Sequence, residues 1–318
     1  MTTHACPICA AETLRLRYTF PWGQVMECCT CSGASAQFVS DAALLDRQSS
    51  EFGAYSTRDD YAHVSAMMFA RQRLATVRRY SQTGRVIDFG CGTGEFLKVA
   101  FEAGFEVEGV DLYSRILPEN QVPGLTVWTQ GLEQFEAAVP ADVAVAFHCL
   151  EHVAQPMGAV QKMLACLKPG GILVLEVPNY QSWSRRLQGA GWGCFVPYHS
   201  LHFTPKSLSR LLQQAGATVE RIASVENPLP IDQLYWAPRM RIWAGLKRWH
   251  PGLAPRPSAG VVSGDLGHPT WKKVFYQWEW LGVYWATRPY NYVVEMIANR
   301  WLAGSYLRVV ARKSKAVL

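Results

Sequence analysis

The stretch VIDFGCGTG, residues 86–94, combines an apolar segment, an acid and three closely spaced glycines. The apolar residues predict a buried strand, and the glycines predict a tight turn that brings the backbone close to a ligand. A dinucleotide fingerprint has the spacing G-x-G-x-x-G, but Gly90, Gly92 and Gly94 fall on alternate residues. Asp88 would repel a pyrophosphate at this turn, so a ligand with a positive group and no phosphate fits better.

A second acid follows the next apolar segment. FEVEGVDL predicts a strand that ends at Asp111, about twenty residues after Gly90. An acid at this place accepts hydrogen bonds from ribose hydroxyls. S-adenosylmethionine carries an ammonium, a sulfonium and a ribose, and therefore suits both acids; NAD is the alternative ligand.

Four cysteines near the N-terminus have the spacing C-x2-C-x18-C-x2-C. Two such pairs can close a tetrahedral zinc site, and four protein ligands indicate a structural rather than a catalytic metal. The 18-residue spacer predicts two short strands, Gly33 suits a tight turn, and Cys29 is the spare cysteine. The alternative is a set of unpaired core cysteines. The predicted zinc-ribbon ligands are Cys6, Cys9, Cys28 and Cys31.

The elements that position these residues follow from a strand–helix rhythm. Strands and helices alternate over residues 86–225, which predicts a doubly wound, mostly parallel α/β sheet with ligands at the carboxyl ends of its strands. Helical spacing of apolar residues in YAHVSAMMFARQRLATVRRY predicts a helical lead-in over 41–85. We divide the chain into a zinc ribbon (1–40), this lead-in, the core (86–225), a basic Trp-rich helical insertion (226–304) and a last strand with tail (305–318).

Composition sets further bounds. The 318 residues are 49% hydrophobic, enough for a sizeable core. No run of eighteen apolar residues and no signal-peptide pattern is present, and nine cysteines form no disulfide-scaffold pattern, so we expect a cytoplasmic protein. The net charge of +6 is uneven, because residues 234–318 hold thirteen Lys/Arg against three Asp/Glu, together with eight of the twelve tryptophans.

Five motifs in order resemble the class I S-adenosylmethionine-dependent methyltransferases, in the branch of ubiquinone-type and sugar-type O-methyltransferases. VIDFGCGTGEFL, VEGVDL, FHCLEHVAQP, LKPGGILVLEVPN and YHSLHFTPKSLSRLLQQAG carry the likeness over roughly residues 55–225, and YLRVVARK at 306–313 is similar to the last strand. The family fold implies a seven-stranded Rossmann-like sheet. In that fold the sixth and seventh strands form a near-direct hairpin, whereas here about eighty residues intervene.

The resemblance implies a cofactor site. The glycine loop, Cys91 included, lines the methionine part with support from Asp88, Asp111 holds the ribose, Gly131 and Leu132 lie near the adenine, and a pair after the fourth strand lies beside the sulfonium. The residues implied are Asp88, Gly90, Cys91, Gly92, Gly94, Asp111, Gly131, Leu132, Phe147 and His148.

Three histidines stand in the expected mouth of the site. Methyl transfer to a hydroxyl often requires removal of its proton, and a base with a pKa near 7 suits that step. His199 is the preferred base, and His152 and His202 are the other candidates. Each also has a structural alternative: His152 can anchor the helix after strand four, and His202 can hold its loop by hydrogen bonds.

The acceptor is the least specified part of the prediction. We expect O-methylation of a small-molecule, glycan or lipid-linked acceptor, or sugar C-methylation as a variant. One alternative is an RNA methyltransferase that binds RNA with the zinc ribbon and the basic segment, although no NPPY-type motif follows strand four. The other is a non-catalytic module that keeps the cofactor for structure. The basic Trp-rich residues 239–303 fit a peripheral membrane contact, a lid, a dimer surface or an aromatic core.

Overall fold

The computed structural model describes residues 5–38, 60–226, 292–293 and 296–314 of the chain. Most of the Trp-rich insertion, with its expected helices, lies outside these residues. No helix in the described ranges has the length and apolar character needed to cross a bilayer.

The N-terminal residues form a small antiparallel sheet around the four cysteines. Its strands are β1 (Leu14–Phe20), β2 (Gly23–Cys28) and β3 (Ala34–Phe38). The first two lie in the cysteine spacer, as predicted. The sheet order is β1-β2-β3-β9, where β9 is the two-residue strand Leu201–His202. The ribbon sheet therefore takes its fourth strand from the segment expected to belong to the core alone.

The remaining strands and helices follow the predicted order, with the helix Trp183–Gln188 and strand β9 as additions that the sequence did not predict. In chain order they are α1 (Asp60–Val77), β4 (Gly84–Phe89), α2 (Glu95–Glu102), β5 (Phe105–Val110), β6 (Thr126–Trp128), β7 (Ala141–Phe147), α3 (Pro156–Ala165), β8 (Leu167–Pro178), α4 (Trp183–Gln188), β9, α5 (Pro205–Gln214), β10 (Ala217–Val225) and β11 (Tyr306–Lys313). Helix α5 begins with Thr204 as its N-cap and Pro205 at its first position, and the Thr204 side chain accepts the N–H of Ser207.

These strands build a seven-stranded sheet in the order β10-β11-β8-β7-β4-β5-β6. β4, β5, β6, β7 and β8 run parallel, and β11 is antiparallel to both of its neighbours. The predicted doubly wound, mostly parallel sheet is confirmed. The last strand lies inside the sheet, between β8 and β10, so β11 completes it rather than extending its edge.

Alternation along the strands builds one core on each face. Val86 packs in the cluster that contains α1 and α2 residues, whereas its neighbour Ile87 packs in the cluster that contains α3 and α5 residues. This is the two-residue period of a strand buried on both faces. The carboxyl ends of β4, β5, β7 and β8 lie at one edge of the sheet, where the site residues gather.

Candidate active site

The glycine loop between β4 and α2 requires glycine at three positions. Gly90, Gly92 and Gly94 all have positive φ, at 78°, 51° and 89°. A Cβ on Gly90 would lie 2.9 Å from the Cβ of Cys149, so the turn after β7 packs directly against this loop. A Cβ on Gly92 would meet no heavy atom within 4 Å, which leaves open space over the middle of the loop. The loop is thus closed on one side and open where a ligand would approach.

A second segment fixes the loop from outside. The N–H of Arg115 donates to the carbonyl of Gly92, and the N–H of Leu117 donates to the carbonyl of Thr93, both over 3.2 Å. The buried amide of Asn120 donates to the Thr93 carbonyl at 2.8 Å. The cofactor loop is therefore held by residues that follow β5, a contribution that no local sequence signal marks.

Asp88 is the buried acid beneath the loop. Its side chain is 3% exposed, and its Oδ1 has no hydrogen-bond partner in the described structure. Burial raises the pKa of Asp88 to about 8, although Arg73 acts in the opposite direction. A buried carboxyl with an unused oxygen favours a cationic or hydrogen-donating ligand, so the ammonium of S-adenosylmethionine fits this position.

Asp111 has a role that the sequence did not reveal. Its Oδ2 accepts the N–H of Gly92 at 2.8 Å, and its Oδ1 accepts the N–H of Tyr113 at 2.7 Å. Asp111 therefore ties the glycine loop to the end of β5. Each carboxylate oxygen can accept a second hydrogen bond, so the ribose-binding role stays a prediction beside this observed one.

Several implied cofactor residues point their side chains into the protein. Cys91 is buried under Gly109, and Phe147 packs edge-to-face on Phe96 at 5.0 Å. Leu132 lies in the core, and the N–H of Gly131 donates to Gln134 Oε1 at 3.0 Å. At Cys91, Phe147 and Leu132 the backbone is therefore the part suited to touch a cofactor.

His148 ends β7 in a charged cluster. It is a non-glycine residue with a φ of 54°, and its ring nitrogens contact Glu151 at 3.2 Å and Glu176 at 3.3 Å. Burial alone would lower the pKa of His148, but the hydrogen bonds to the two carboxylates raise it to about 9. Glu176 also accepts from Arg73 at 3.0 Å and from Arg308 at 2.7 Å. His148 is thus a cation at neutral pH and cannot take up a proton there.

His152 and His199 converge with Glu151 just beyond this cluster. Their rings lie 5.0 Å apart, and one ligand atom from each of the three residues lies within 4.8 Å of the others. Nδ1 of His152 contacts the Tyr198 carbonyl, and Nδ1 of His199 contacts the Cys194 carbonyl, both at 2.9 Å. Because a carbonyl accepts only, each Nδ1 carries the proton and each Nε2 is the basic nitrogen. The trio suits proton transfer, and its donor set also suits a divalent cation.

Charge differs within this trio. Burial lowers the pKa of His199 to about 4, with Glu151 opposing, so its imidazole is neutral at pH 7. Burial would raise the pKa of Glu151, but its hydrogen bond to His148 lowers it to about 2, and Glu151 is therefore ionised.

His202, the third candidate, is placed differently. It is 1% exposed, neither ring nitrogen has a partner in the described structure, and burial lowers its pKa to about 3. Tyr180, Trp192 and Phe195 surround the ring at 5.1–5.9 Å. This packing does not favour proton transfer by His202.

The four predicted zinc ligands come together. The Sγ atoms of Cys6 and Cys31 lie 3.8 Å apart and those of Cys9 and Cys28 lie 3.7 Å apart, while Cys29 is exposed. Four sulfurs about 2.3 Å from a tetrahedral zinc would be separated by roughly this distance.

The two cysteine pairs also share one backbone geometry. The N–H of Ala10 donates to the Cys6 carbonyl as that of Ser32 does to the Cys28 carbonyl. Ala10 and Ser32 have φ values of 60° and 63°. The left-handed residue of the second turn is therefore Ser32, and Gly33 follows it and accepts the N–H of Cys28 at 2.8 Å.

The strand order, the glycine loop and the two acids at neighbouring strand ends define a class I S-adenosylmethionine-dependent methyltransferase. A family model described as "Methyltransferase domain" matches residues 62–222, about half of the chain, and the chain belongs to that family.

Curated relatives and a solved structure are also similar to this chain. The chain is 29% identical over 160 residues to a ubiquinone biosynthesis O-methyltransferase of Cereibacter sphaeroides, covering 46% of this chain and 65% of that protein. It is 28% identical over 172 residues to the enzyme of that name from Bordetella avium, covering 48% and 70%. A chain in the solved complex of the Haloferax volcanii Trm112 methyltransferase activator and a methyltransferase has a TM-score of 0.51 at 15% identity, covering 84% of this chain and 97% of that chain.

Proposed function

We propose that this methyltransferase methylates a hydroxyl of a small-molecule, glycan or lipid-linked acceptor, with His199 as the general base. The observation that carries the proposal is the convergence of His199, His152 and Glu151 within 4.8 Å, in the region where the turn after β7 packs on the glycine loop. An imidazole that is neutral at pH 7 has a free nitrogen for the proton of an acceptor hydroxyl, and the adjacent Glu151 opposes the burial that lowers the pKa of His199.

The site has two sides. The cofactor side is the glycine loop with Asp88 and Asp111, and the acceptor side is the trio of Glu151, His152 and His199. S-adenosylmethionine, when bound, supplies an electrophilic methyl group on a positively charged sulfur. Asp88, with its unpartnered Oδ1, would hold the ammonium, and Asp111, which fixes the loop, would offer its remaining lone pairs to the ribose. On the acceptor side the Cys194 carbonyl orients His199, so that Nε2 accepts the proton. Holding the acceptor oxygen in line with the methyl group would supply much of the acceleration.

The acceptor class rests on the relatives. The curated relatives are named for ubiquinone biosynthesis and O-methylation. They share with this chain the methyltransferase part, and the match covers 65% of the Cereibacter sphaeroides protein. We therefore favour a phenolic or other hydroxyl acceptor over an amino nitrogen, and a small molecule over RNA.

We propose further that the enzyme is cytoplasmic and touches an anionic membrane surface. Trp183, Leu187 and Trp301 are 39%, 88% and 56% exposed, and the rings of Trp183 and Trp301 lie 5.9 Å apart. The neighbouring Arg186 and Arg300 are exposed, so the same surface carries positive charge. Exposed Trp and Leu with Arg match an anionic lipid interface.

Flotation with anionic and neutral vesicles at low and high salt tests the membrane contact. Leu187→Glu should lower binding to anionic vesicles, whereas Leu16→Glu, at a 53% exposed leucine on β1, should leave it unchanged. Equal binding of both variants and wild type would contradict the proposal. Retention by RNA with a steep salt dependence, in place of vesicle binding, would favour the RNA alternative.

The base is tested with a panel of phenolic, sugar and quinol-type hydroxyl acceptors. His199→Gln should lower kcat by about 100-fold or more, with the affinity for S-adenosylhomocysteine unchanged by calorimetry. His152→Gln serves as comparison, since it removes the neighbouring imidazole and leaves His199 in place. Full activity of His199→Gln would overturn its assignment, and activity that requires added divalent cation would assign the trio to metal binding instead.

A further inference from the structure

Two parts of the chain share one sheet: the cysteine unit, residues 5–38, and the His199 loop, residues 194–204. β9 follows His199 by two residues and pairs with β3, with Ala34 opposite His202. The N–H of Ala36 also donates to the Ser200 carbonyl over 2.9 Å. β3 begins three residues after Cys31, so the strand that holds this loop starts at the metal site.

Side-chain contacts reinforce this junction. Tyr180 Oη donates to Glu27 Oε2 at 3.0 Å, and Thr204 Oγ1 donates to the Cys31 carbonyl at 3.4 Å. A Cβ on Gly33 would lie 2.9 Å from Ser207 Oγ, at the start of α5. Gly33, which follows the second cysteine pair, therefore packs so closely on the N-terminus of α5 that a methyl group at Gly33 has no room.

An aromatic contact continues the path to His199. Phe195 packs against Tyr18 of β1 at 5.1 Å and against Phe20 at 5.4 Å. The residue before it, Cys194, supplies the carbonyl that contacts Nδ1 of His199. The position of the imidazole thus depends on a ring that packs on the cysteine unit.

The cofactor loop depends on other contacts. Gly92 and Thr93 form hydrogen bonds with four residues between β5 and β6, namely Asp111, Arg115, Leu117 and Asn120. Within the described ranges these partners belong to the core and not to residues 5–38. The hydrogen bonds that fix the glycine loop are therefore separate from the contacts of residues 5–38, and the glycine loop meets the histidine region where Cys149 packs on Gly90.

From this separation we propose that the zinc-bound unit is a positioning element for the acceptor side, holding His199 through β3, β9 and Phe195. Loss of zinc releases the His199 loop and leaves the cofactor loop in place. The inference rests on the proposed function only in calling this side of the cleft the acceptor side.

Hydrogen exchange on the full chain tests it, with the zinc-loaded and the chelator-treated protein compared by mass spectrometry. Peptides from 194–204 should exchange about tenfold faster after chelation, while peptides from 88–96 keep their rates. The affinity for S-adenosylhomocysteine should stay within about twofold by calorimetry. Unchanged protection of 194–204, while residues 5–38 exchange freely, would overturn the proposal. Loss of protection at 88–96 would also overturn it, because the unit would then support the whole fold.

A glycine pair provides the matched control with zinc still bound. Gly33→Ala crowds the flexible end of Ile8, with Cδ1 at 2.8 Å, and Ser207, with Oγ at 2.9 Å. It should speed exchange at 194–204, and a measured zinc content of one per chain shows that the cysteine site is still intact. Gly158→Ala, in α3, adds a methyl group that meets no heavy atom within 4 Å and should change nothing. Identical exchange at 194–204 in both variants would count against the proposal. No acceptor enters these measurements, so they stand even if the assigned reaction fails.

Discussion

Asp88 and Asp111 stand at the carboxyl ends of neighbouring strands and are satisfied in opposite ways. Asp111 accepts a backbone N–H on each oxygen, at 2.8 and 2.7 Å, whereas Asp88 is buried with Oδ1 unpartnered in the described structure. One acid therefore belongs to the architecture of the loop, and the other is left for a ligand.

Asp88→Asn should stabilise the ligand-free protein and weaken cofactor binding. The folded-state pKa of Asp88, about 8, lies above that of an unfolded aspartate. Wild-type stability therefore falls as pH rises from about 4 to about 8, because the unfolded state ionises first. The melting temperature of Asp88→Asn should exceed that of wild type by more at pH 8 than at pH 5. Equal gaps at both pH values, or undiminished affinity for S-adenosylhomocysteine, would refute the assignment.

Asp111→Ala should lower the affinity for S-adenosylhomocysteine by calorimetry. The change removes two charge-assisted hydrogen bonds to the N–H groups of Gly92 and Tyr113, each worth about 1.5–3 kcal/mol when the acceptor is charged. Glu106→Ala, at an exposed acid near the other end of β5, is the control and should bind normally. Normal binding by Asp111→Ala as well would remove Asp111 from the site.

His148→Asn should destabilise the protein in a pH-dependent way. Asparagine tolerates the positive φ of this position, so the variant reports mainly on the lost charge. The folded-state pKa of about 9 lies above the unfolded value, so the imidazolium contributes fully below about pH 6.5, and the contribution disappears as pH rises through 9. Urea unfolding at pH 6, 8 and 10 should show a gap to wild type that closes with pH. A constant gap would mean that the ring acts by packing alone.

His202→Phe should retain or raise stability. The change removes two buried nitrogens that lack partners in the described structure, and relief of an unsatisfied buried polar group is worth about 1–3 kcal/mol. The aromatic neighbours Tyr180, Trp192 and Phe195 suit a phenyl ring. Calorimetric unfolding checks the stability. A variant that melts normally but loses methyl transfer would return His202 to the list of catalytic candidates.

Local sequence signals predicted the local structure well. The apolar pattern predicted the strands, and the capping residues predicted the start of α5. The cysteine spacing predicted a cluster, whose sulfurs lie 3.7–3.8 Å apart within each of two pairs. These signals span a few residues, so they can be read without the fold. α4 has six residues and β9 has two, too few for a period to register.

The site itself was predictable only in part. The glycine loop and the acids follow from residue type and spacing, and so does the region of the histidines. His199 and His202 differ because Trp192 and Phe195 pack around the ring of His202. This packing depends on the tertiary structure and cannot be predicted from the spacing of the histidines. The cluster of His148 with Glu176 and Arg308 joins strands far apart in sequence, and no local pattern marks such an ion network.

The strand order also dictates when this chain can finish folding. Residues 5–38 are made before the core, and β3 can pair with β2 at once, but its second partner, β9, forms only when residues 201–202 have been made. At that stage the position between β8 and β10 is still empty, because β11 is formed by residues 306–313, which are made later. Unpaired strand edges attract other chains, so a nascent chain stalled before residue 306 carries an open gap in its catalytic sheet. The topology therefore predicts that such a chain associates with other chains more readily than one in which β11 has filled the gap.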